Sequence, residues 1–160
     1  MAKVKKLNSM RLLDAKSIRY DVHVYDKSIR DARQVAEAVG FSADEVFKTL
    51  VIEAPAAKKP VLVMLPSNST LNLKRLAKAL GEKKLALASH ADAEKWTGLK
   101  VGGISALALT GKHWSVILDR RAAALEKIVI SAGQRGLQLR VETGDLIKLL
   151  GCELVDVADR

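Results

Sequence analysis

The spacing of apolar residues along the chain predicts short helices and short strands that follow one another. Residues 7–16 have the helical spacing that places Met10 and Leu13 on one inner face. Residues 18–25 alternate apolar and polar side chains with a period of two, which is the pattern of a strand. Further helices are predicted over 31–39, 73–80, 89–97 and 143–150, with Ser89 and Thr143 as N-terminal caps, and further strands over 47–54, 61–65, 114–119, 128–131, 137–141 and 153–157.

Several connections between the predicted strands are too short to contain a helix. The turn bounded by Pro55 and Pro60 joins two strands, and a connection of this length favours an antiparallel pair. The pattern therefore predicts a mixed α/β fold with a largely antiparallel sheet and flanking helices, in one domain that spans residues 1–160.

A lysine interrupts the apolar strand at 47–54. Because side chains alternate between the two faces of a strand, Lys48 shares a face with Leu50 and Ile52. Burying an ammonium group without a partner is costly. Either the side chain extends its charged end into solvent, or Lys48 lies at the mouth of a cleft and faces an anion.

The charge of the chain favours a polyanionic partner. Of the 160 residues, 49% are apolar and only 4% are aromatic, so the chain can bury a core that is mostly aliphatic. The formal net charge of +9 favours nucleic acid as a partner, although a basic protein that binds no nucleic acid can carry the same charge. Five basic residues close together fit either a polyanion-binding surface or a solvated face: Lys74, Arg75, Lys78, Lys83 and Lys84.

The sequence predicts a cytoplasmic protein. The single cysteine, Cys152, allows no internal disulfide, as is usual in a reducing compartment. The basic start, residues 1–6, is not followed by the apolar core of a signal peptide. No apolar stretch is long enough to span a bilayer, so no membrane association is expected.

Several common catalytic motifs are missing from the chain. It has no nucleotide-triphosphate loop, no dinucleotide fingerprint and no nucleophile elbow. The histidines His23, His90 and His113 lack metal-ligand spacing with one another and with Cys152, so the sequence predicts neither a metal site nor a cofactor. A hydrolase built on this chain would use water or a group of its substrate as the nucleophile.

Small residues supply the remaining candidate chemistry. The pair Gly102-Gly103 allows a backbone to come close to a ligand and to offer N–H groups to a developing oxyanion, and Ser105 and Ser131 offer hydroxyl groups. The same glycines also fit a tight turn or a bulge. Trp96 and Trp114 fit core packing better than base stacking.

Three segments in order along the chain resemble those of a known family. Residues 46–50 (Val-Phe-Lys-Thr-Leu), 101–105 (Val-Gly-Gly-Ile-Ser) and 131–137 (Ser-Ala-Gly-Gln-Arg-Gly-Leu) are similar to motifs of the YbaK/EbsC family. These proteins are aminoacyl-tRNA deacylases related to the editing domain of bacterial prolyl-tRNA synthetases. The likeness extends from about residue 7 to residue 157.

This resemblance implies a fold, an activity and a site. The fold would be a mixed sheet closed into a barrel-like core. The activity would be trans-editing, with mischarged tRNA as partner and prolyl-tRNA synthetase as a second candidate partner. By motif position, Lys48 resembles the essential lysine that holds the tRNA end. Tyr25 resembles a tyrosine beside the pocket, Gly103 part of the loop that positions the substrate carbonyl, and Ser131 a hydroxyl that lines the site.

Two departures from the family pattern bear on specificity. Ala106 stands where the glycine loop usually continues with proline, and Gln138 stands where YbaK has an aspartate. We expect hydrolysis of Cys-tRNA(Pro), with the thiol of the substrate as the attacking group. Hydrolysis of another mischarged tRNA such as Ala-tRNA(Pro), and a non-catalytic module that binds tRNA or a synthetase, are the alternatives. The sequence leaves the oligomeric state open.

Overall fold

A computed structural model describes residues 5–159; residues 1–4, which open the basic start of the chain, and Arg160 lie outside the described part. The helices are α1 (Asn8–Ala15), α2 (Ala32–Val39), α3 (Leu73–Leu80), α4 (His90–Thr97) and α5 (Thr143–Leu150). The strands are β1 (Tyr20–Val24), β2 (Phe47–Glu53), β3 (Val61–Pro66), β4 (Thr70–Leu71), β5 (Ala86–Leu87), β6 (Val116–Asp119), β7 (Lys127–Ser131), β8 (Leu137–Glu142), β9 (Glu153–Val155) and β10 (Ala158–Asp159).

The strands of residues 5–159 form three sheets, and the predicted mixed α/β class is confirmed. The largest sheet has the order β5-β2-β3-β6-β9, in which β2 is antiparallel to both β5 and β3. The pairs β3/β6 and β6/β9 are parallel. A second, antiparallel sheet has the order β1-β8-β7, and β10 pairs with β4.

The expected closure of the sheet into a barrel-like core is wrong for the described strands. Among the described residues, an isolated bridge between Val46 and Val129 is the backbone pairing that joins the two larger sheets, and strands β2 and β7 also contact each other. A single bridge does not continue a ladder, so the sheets stay separate while they share the main apolar cluster. Strand β1 ends the three-stranded sheet, and Val22 and Val24 on it are 37% and 64% exposed.

Apolar clusters cover both faces of the five-stranded sheet. Phe47 and Val51 of β2 belong to the main cluster, while Ile52, on the opposite face, belongs to a second cluster. The neighbouring strand alternates in the same way, since Met64 faces the first cluster and Leu65 the second. A sheet buried on both faces explains why 61–65 is apolar throughout. It also fixes the position of Lys48 at the start of β2.

Side-chain caps define most of the predicted helix starts. The Asp31 carboxylate accepts hydrogen bonds from the backbone N–H groups of Arg33 (2.8 Å) and Gln34 (3.4 Å), and the Ser89 hydroxyl accepts one from the N–H of Asp92 (3.1 Å). The predicted capping by Thr143 is wrong. Helix α5 begins at Thr143, which leaves Glu142 in the cap position without a side-chain hydrogen bond.

The two glycine-containing loops pack directly against each other. A Cβ atom on Gly103 would lie 2.7 Å from the backbone nitrogen of Arg135 and 2.9 Å from the carbonyl carbon of Gln134. The Arg135 Nε donates a hydrogen bond of 2.6 Å to the Val101 carbonyl. Residues 101–105 and 131–137 are therefore held in contact, and only a glycine fits at residue 103.

We predict that Gly103→Ala lowers the free energy of unfolding by roughly 1–3 kcal/mol, because the added methyl group must displace backbone atoms. Gly144→Ala is the matched control. A Cβ atom there meets no atom within 4 Å, so the change should raise stability slightly or leave it within about 1 kcal/mol. Urea denaturation measures both variants. Equal midpoints for the two variants would contradict the close packing of the loops.

Candidate functional site

A cleft of about 510 Å³ opens beside the first half of β2. Its walls come from the start of α2, the loop at 67–70, α4 and the first glycine loop, with Ser131 and Gln138 of the three-stranded sheet. Lys48 lines this cleft. The sequence left two placements open for this side chain, an end in solvent and a position at a cleft, and the lysine lies at a cleft. The strand pairing places residue 48 there because β2 enters the sheet at this point.

The ammonium group of Lys48 has carbonyl oxygens as partners and no carboxylate. Its Nζ donates to the Ser69 carbonyl at 2.6 Å and lies 3.5 Å from the Ser67 carbonyl. None of the ion pairs formed by residues 5–159 involves Lys48. Burial lowers the pKa of Lys48 below the usual lysine value, and Arg33 lowers it further, while Asp31 opposes the shift. A half-buried positive charge with no carboxylate in hydrogen-bond contact favours binding of an anion.

Hydrogen bonds fix the loop that supplies these carbonyl oxygens. The Ser67 hydroxyl donates to the Ala43 carbonyl at 2.7 Å. The Arg121 guanidinium donates to the Ser69 hydroxyl at 2.9 Å. The fully buried Asp119 carboxylate accepts from the N–H groups of Arg121 (3.2 Å) and Val157 (3.1 Å). The position of the Lys48 ammonium therefore depends on residues far along the chain.

Two arginines add positive charge to the lining of the cleft. Arg30 and Arg33 line it together with Lys48, and His90 lines it as well. The Asp31 carboxylate, which also lines the cleft, already caps α2. An adjoining hollow is lined by Arg30 and His90 together with Lys100 and Arg135. The Glu94 carboxylate in that hollow accepts a hydrogen bond of 2.8 Å from the Val101 N–H, which lowers the pKa of Glu94.

Two buried polar side chains lie opposite each other at the inner wall. Ser131 and Gln138 are paired across β7 and β8 and are 9% and 5% exposed. The Ser131 hydroxyl accepts a hydrogen bond of 3.2 Å from the Gly133 N–H. The Gln138 Oε1 atom is buried and has no hydrogen-bond partner among the described residues. Gln138 also lines the cleft, so a residue of the cleft wall carries an unsatisfied acceptor.

The predicted site residues divide into two groups. Lys48, Gly102 and Ser131 line the cleft. Gly103, Ser105 and Tyr25 do not line it: all three are buried, and the hydroxyl groups of Ser105 and Tyr25 have no hydrogen-bond partner among the described residues. Their roles remain predictions. Sequence reasoning missed the lining residues Arg30, Arg33 and His90, because no motif marks them.

Gly103 is engaged in a way that the sequence did not reveal. Its N–H group donates to the Lys100 carbonyl at 2.8 Å, so it is not free for a substrate. Gly102 lines the cleft instead, in the left-handed region with φ of +92°. Gly103 shapes the loop, and its neighbour presents the backbone to the cleft.

Other catalytic arrangements find little support among residues 5–159. No hydrogen bond there joins a hydroxyl of the cleft wall to a histidine or a carboxylate. No group of three or more His, Cys, Asp and Glu residues in that range could hold a metal ion. Burial raises the pKa of the Cys152 thiol to about 11, and Cys152 does not line the cleft. The helices of the described range are all too short or too polar to cross a membrane.

Comparisons with known proteins identify the family of the chain. Residues 26–149 match the aminoacyl-tRNA editing domain. The chain is 31% identical over its full length to 99% of EbsC from Enterococcus faecalis, which is named for a proposed Cys-tRNA(Pro)/Cys-tRNA(Cys) deacylase activity. It is 31% identical to proline–tRNA ligase from Shouchella clausii over 103 residues, which are 64% of this chain and 18% of that enzyme.

Solved structures share the fold. One is described as a proposed trans-editing enzyme for prolyl-tRNA synthetase and superimposes with a TM-score of 0.79 at 21% identity, covering 98% of this chain and 100% of the other. The hypothetical protein APE2540 gives a TM-score of 0.86 at 22% identity, covering 96% and 100%. With the domain match and the full-length relative, the conclusion is that the chain belongs to the aminoacyl-tRNA editing domain family and is an aminoacyl-tRNA deacylase.

Proposed function

We propose that this deacylase acts in trans on mischarged tRNA, with Cys-tRNA(Pro) as its preferred substrate. The observation that carries the proposal is the ammonium group of Lys48, which lies in the cleft wall without a carboxylate in contact. A phosphate of the tRNA 3′ end would supply a negative partner. The name of the full-length relative supports the choice of cysteine, and the relation to proline–tRNA ligases supports the choice of tRNA and makes prolyl-tRNA synthetase a candidate partner.

The reaction needs positioning more than it needs a nucleophilic side chain. An aminoacyl ester is already activated, so the protein has to hold the ester and stabilise the developing negative charge. In this proposal Lys48 binds the nucleotide end, and the backbone of Gly102 contacts the ester carbonyl. Gln138 lines the cleft, and a rotation of its buried side-chain amide would let the unsatisfied Oε1 accept a hydrogen bond from the α-ammonium group of the amino acid.

Attack by the substrate thiol would explain a preference for cysteine. A pocket alone separates small amino acids poorly, because one methylene group is worth about 1–3 kcal/mol. If the thiol sulfur attacks the ester carbonyl, a carbon–sulfur bond forms and closes a four-membered thiolactone, the bond to the tRNA 3′ oxygen breaks, and that oxygen takes up the proton that the thiol loses. Water then opens the thiolactone and releases free cysteine. Serine fits the same space but offers a much weaker nucleophile. Selectivity would then come from the chemistry and not from the shape of the cleft.

A panel of esters on one tRNA tests the substrate. We expect release from Cys-tRNA(Pro) at least tenfold faster than from Ser-tRNA(Pro) or Ala-tRNA(Pro), measured as loss of labelled amino acid from tRNA. Equal rates for cysteine and serine would exclude attack by the thiol. Faster release of alanine would assign the chain to that alternative substrate, and no release from any ester would leave the non-catalytic module.

Substitution of Lys48 tests the anchor. Lys48→Ala should reduce kcat/KM by about 100-fold or more, because the cleft loses the charge that holds the substrate end. The far-ultraviolet circular dichroism should not change. Lys148→Ala is the control, since Lys148 is exposed on α5 and does not line the cleft. Full activity in the Lys48→Ala variant would remove Lys48 from the mechanism.

The lowered pKa of Lys48 predicts how binding depends on pH. As the pH rises, this ammonium group loses its proton earlier than an ordinary lysine. Affinity for uncharged tRNA should therefore start to fall below the usual pKa of lysine, as fluorescence anisotropy can measure. In Lys48→Arg the charge persists over this range, so that part of the decline should vanish. The same decline in both proteins would assign it to other groups.

A further inference from the structure

A second groove, of about 450 Å³, lies at the far end of β2 from Lys48. Trp96 and Trp114 line it, and both residues pack against the main apolar cluster while remaining partly exposed. Lys58 and Lys59 line it as well, from the turn after β2. We call these four residues the indole–lysine groove.

The charge and shape of the indole–lysine groove suit unpaired nucleotides. The Lys112 ammonium lies 5.3 Å from the centre of the Trp114 ring, so a positive charge already stands over one indole face. Lys58, Lys59 and Lys112 are exposed and face solvent. Glu53 is the acidic residue among those that line the groove. Flat aromatic rings surrounded by lysines bind single-stranded nucleic acid through base stacking and phosphate contacts.

Two elements connect the indole–lysine groove to the cleft. On α4, His90 and Ala93 line the cleft and Trp96 lines the groove, and this three-residue spacing keeps them on neighbouring parts of one helix surface. On β5, the cleft residue Leu87 pairs with Ile52. The preceding residue of β5, Ala86, pairs with Glu53, which lines the groove. The cleft and the groove are therefore connected by α4 and β5, and nucleotides that leave the cleft along these elements reach the groove.

We propose that the indole–lysine groove binds the unpaired nucleotides that precede the aminoacylated end of tRNA. The inference rests on the proposed function, because it takes the aminoacyl ester to be in the cleft. It adds a binding site for single-stranded RNA outside that cleft. The lysines disfavour an apolar protein segment as the occupant.

Intrinsic fluorescence tests the indole–lysine groove directly, because the chain has only two tryptophans and both line it. Titration with the RNA tetranucleotide ACCA should quench the emission as bases stack on the rings. A tetranucleotide of the same charge without bases should leave the emission unchanged. Binding of ACCA, measured independently by anisotropy of a labelled strand, without a change of emission would overturn the proposal. So would equal quenching by the strand without bases, or quenching by prolyl-tRNA synthetase and not by RNA.

Variants connect this site to activity. Trp114→Ala should raise KM for an aminoacylated minihelix by about tenfold and leave kcat unchanged, since loss of one stacked base costs about that factor. Trp114→Phe should keep most of the affinity for the minihelix. The same variant shows whether the protein still folds when residue 114 is changed. Lys112→Ala, at an exposed position, should raise KM severalfold, and the exposed Lys148 on α5 provides the control variant Lys148→Ala.

The outcomes separate the two proposals. Suppose that the protein hydrolyses aminoacyl-tRNA and that KM is unchanged in both Trp114→Ala and Lys112→Ala. That result overturns RNA binding by the indole–lysine groove and leaves the proposed function intact. A protein that hydrolyses no ester loses the proposed function, and quenching by ACCA still decides whether the groove binds RNA.

Discussion

The packing of β2 on both faces is the constraint on which the site depends. One face of the strand is buried in the main apolar cluster and the other in the second cluster, so β2 can neither rotate nor shift its register. Residue 48 is consequently held at the point where the strand enters the sheet. A lysine at that position loses part of its hydration without reaching a carboxylate, and this makes the cleft attractive to an anion.

The same packing explains how a cleft without a metal-binding cluster or a hydrogen-bonded triad in its described walls can support hydrolysis. The chemistry assigned to it is charge placement, and charge placement needs a rigid surrounding more than reactive side chains. The contact between the two glycine-containing loops provides that rigidity on one side, because Gly103 leaves no space between them. The hydrogen-bonded loop at 67–70 provides it on the other side.

Local patterns predicted the elements well, and long-range pairing limited the rest. The helices ending at Gly40, Gly81 and Gly98 were predictable because a cap or a glycine marks each end. Strand β1 was also predictable, but not the exposure of Val24, which follows from its place at a sheet edge. The barrel-like closure came from the resemblance, and the described pairing replaces it with separate sheets.

The site shows the same division. Lys48 could be identified from the alternation along one strand, whereas Gln138 faces Ser131 only because β7 and β8 pair in that register. The engagement of the Gly103 N–H with Lys100 depends on loop geometry that no spacing rule encodes. Arg33 lines the cleft because α2 begins there, and its position follows from the packing of that helix.

The chain of contacts from Asp119 through Arg121 and Ser69 to Lys48 has a consequence for the evolution of the domain. Four residues from three segments are linked in series: Arg121 contacts Asp119 through its backbone N–H and Ser69 through its guanidinium, and the Ser69 carbonyl accepts from Lys48. A change that shifts one of these segments disturbs the contacts of the others. Such positions tolerate substitution as a group more readily than singly. Across related sequences these four positions should therefore covary. Selection that maintains the cleft would then also act on side chains such as Asp119, which line none of its walls.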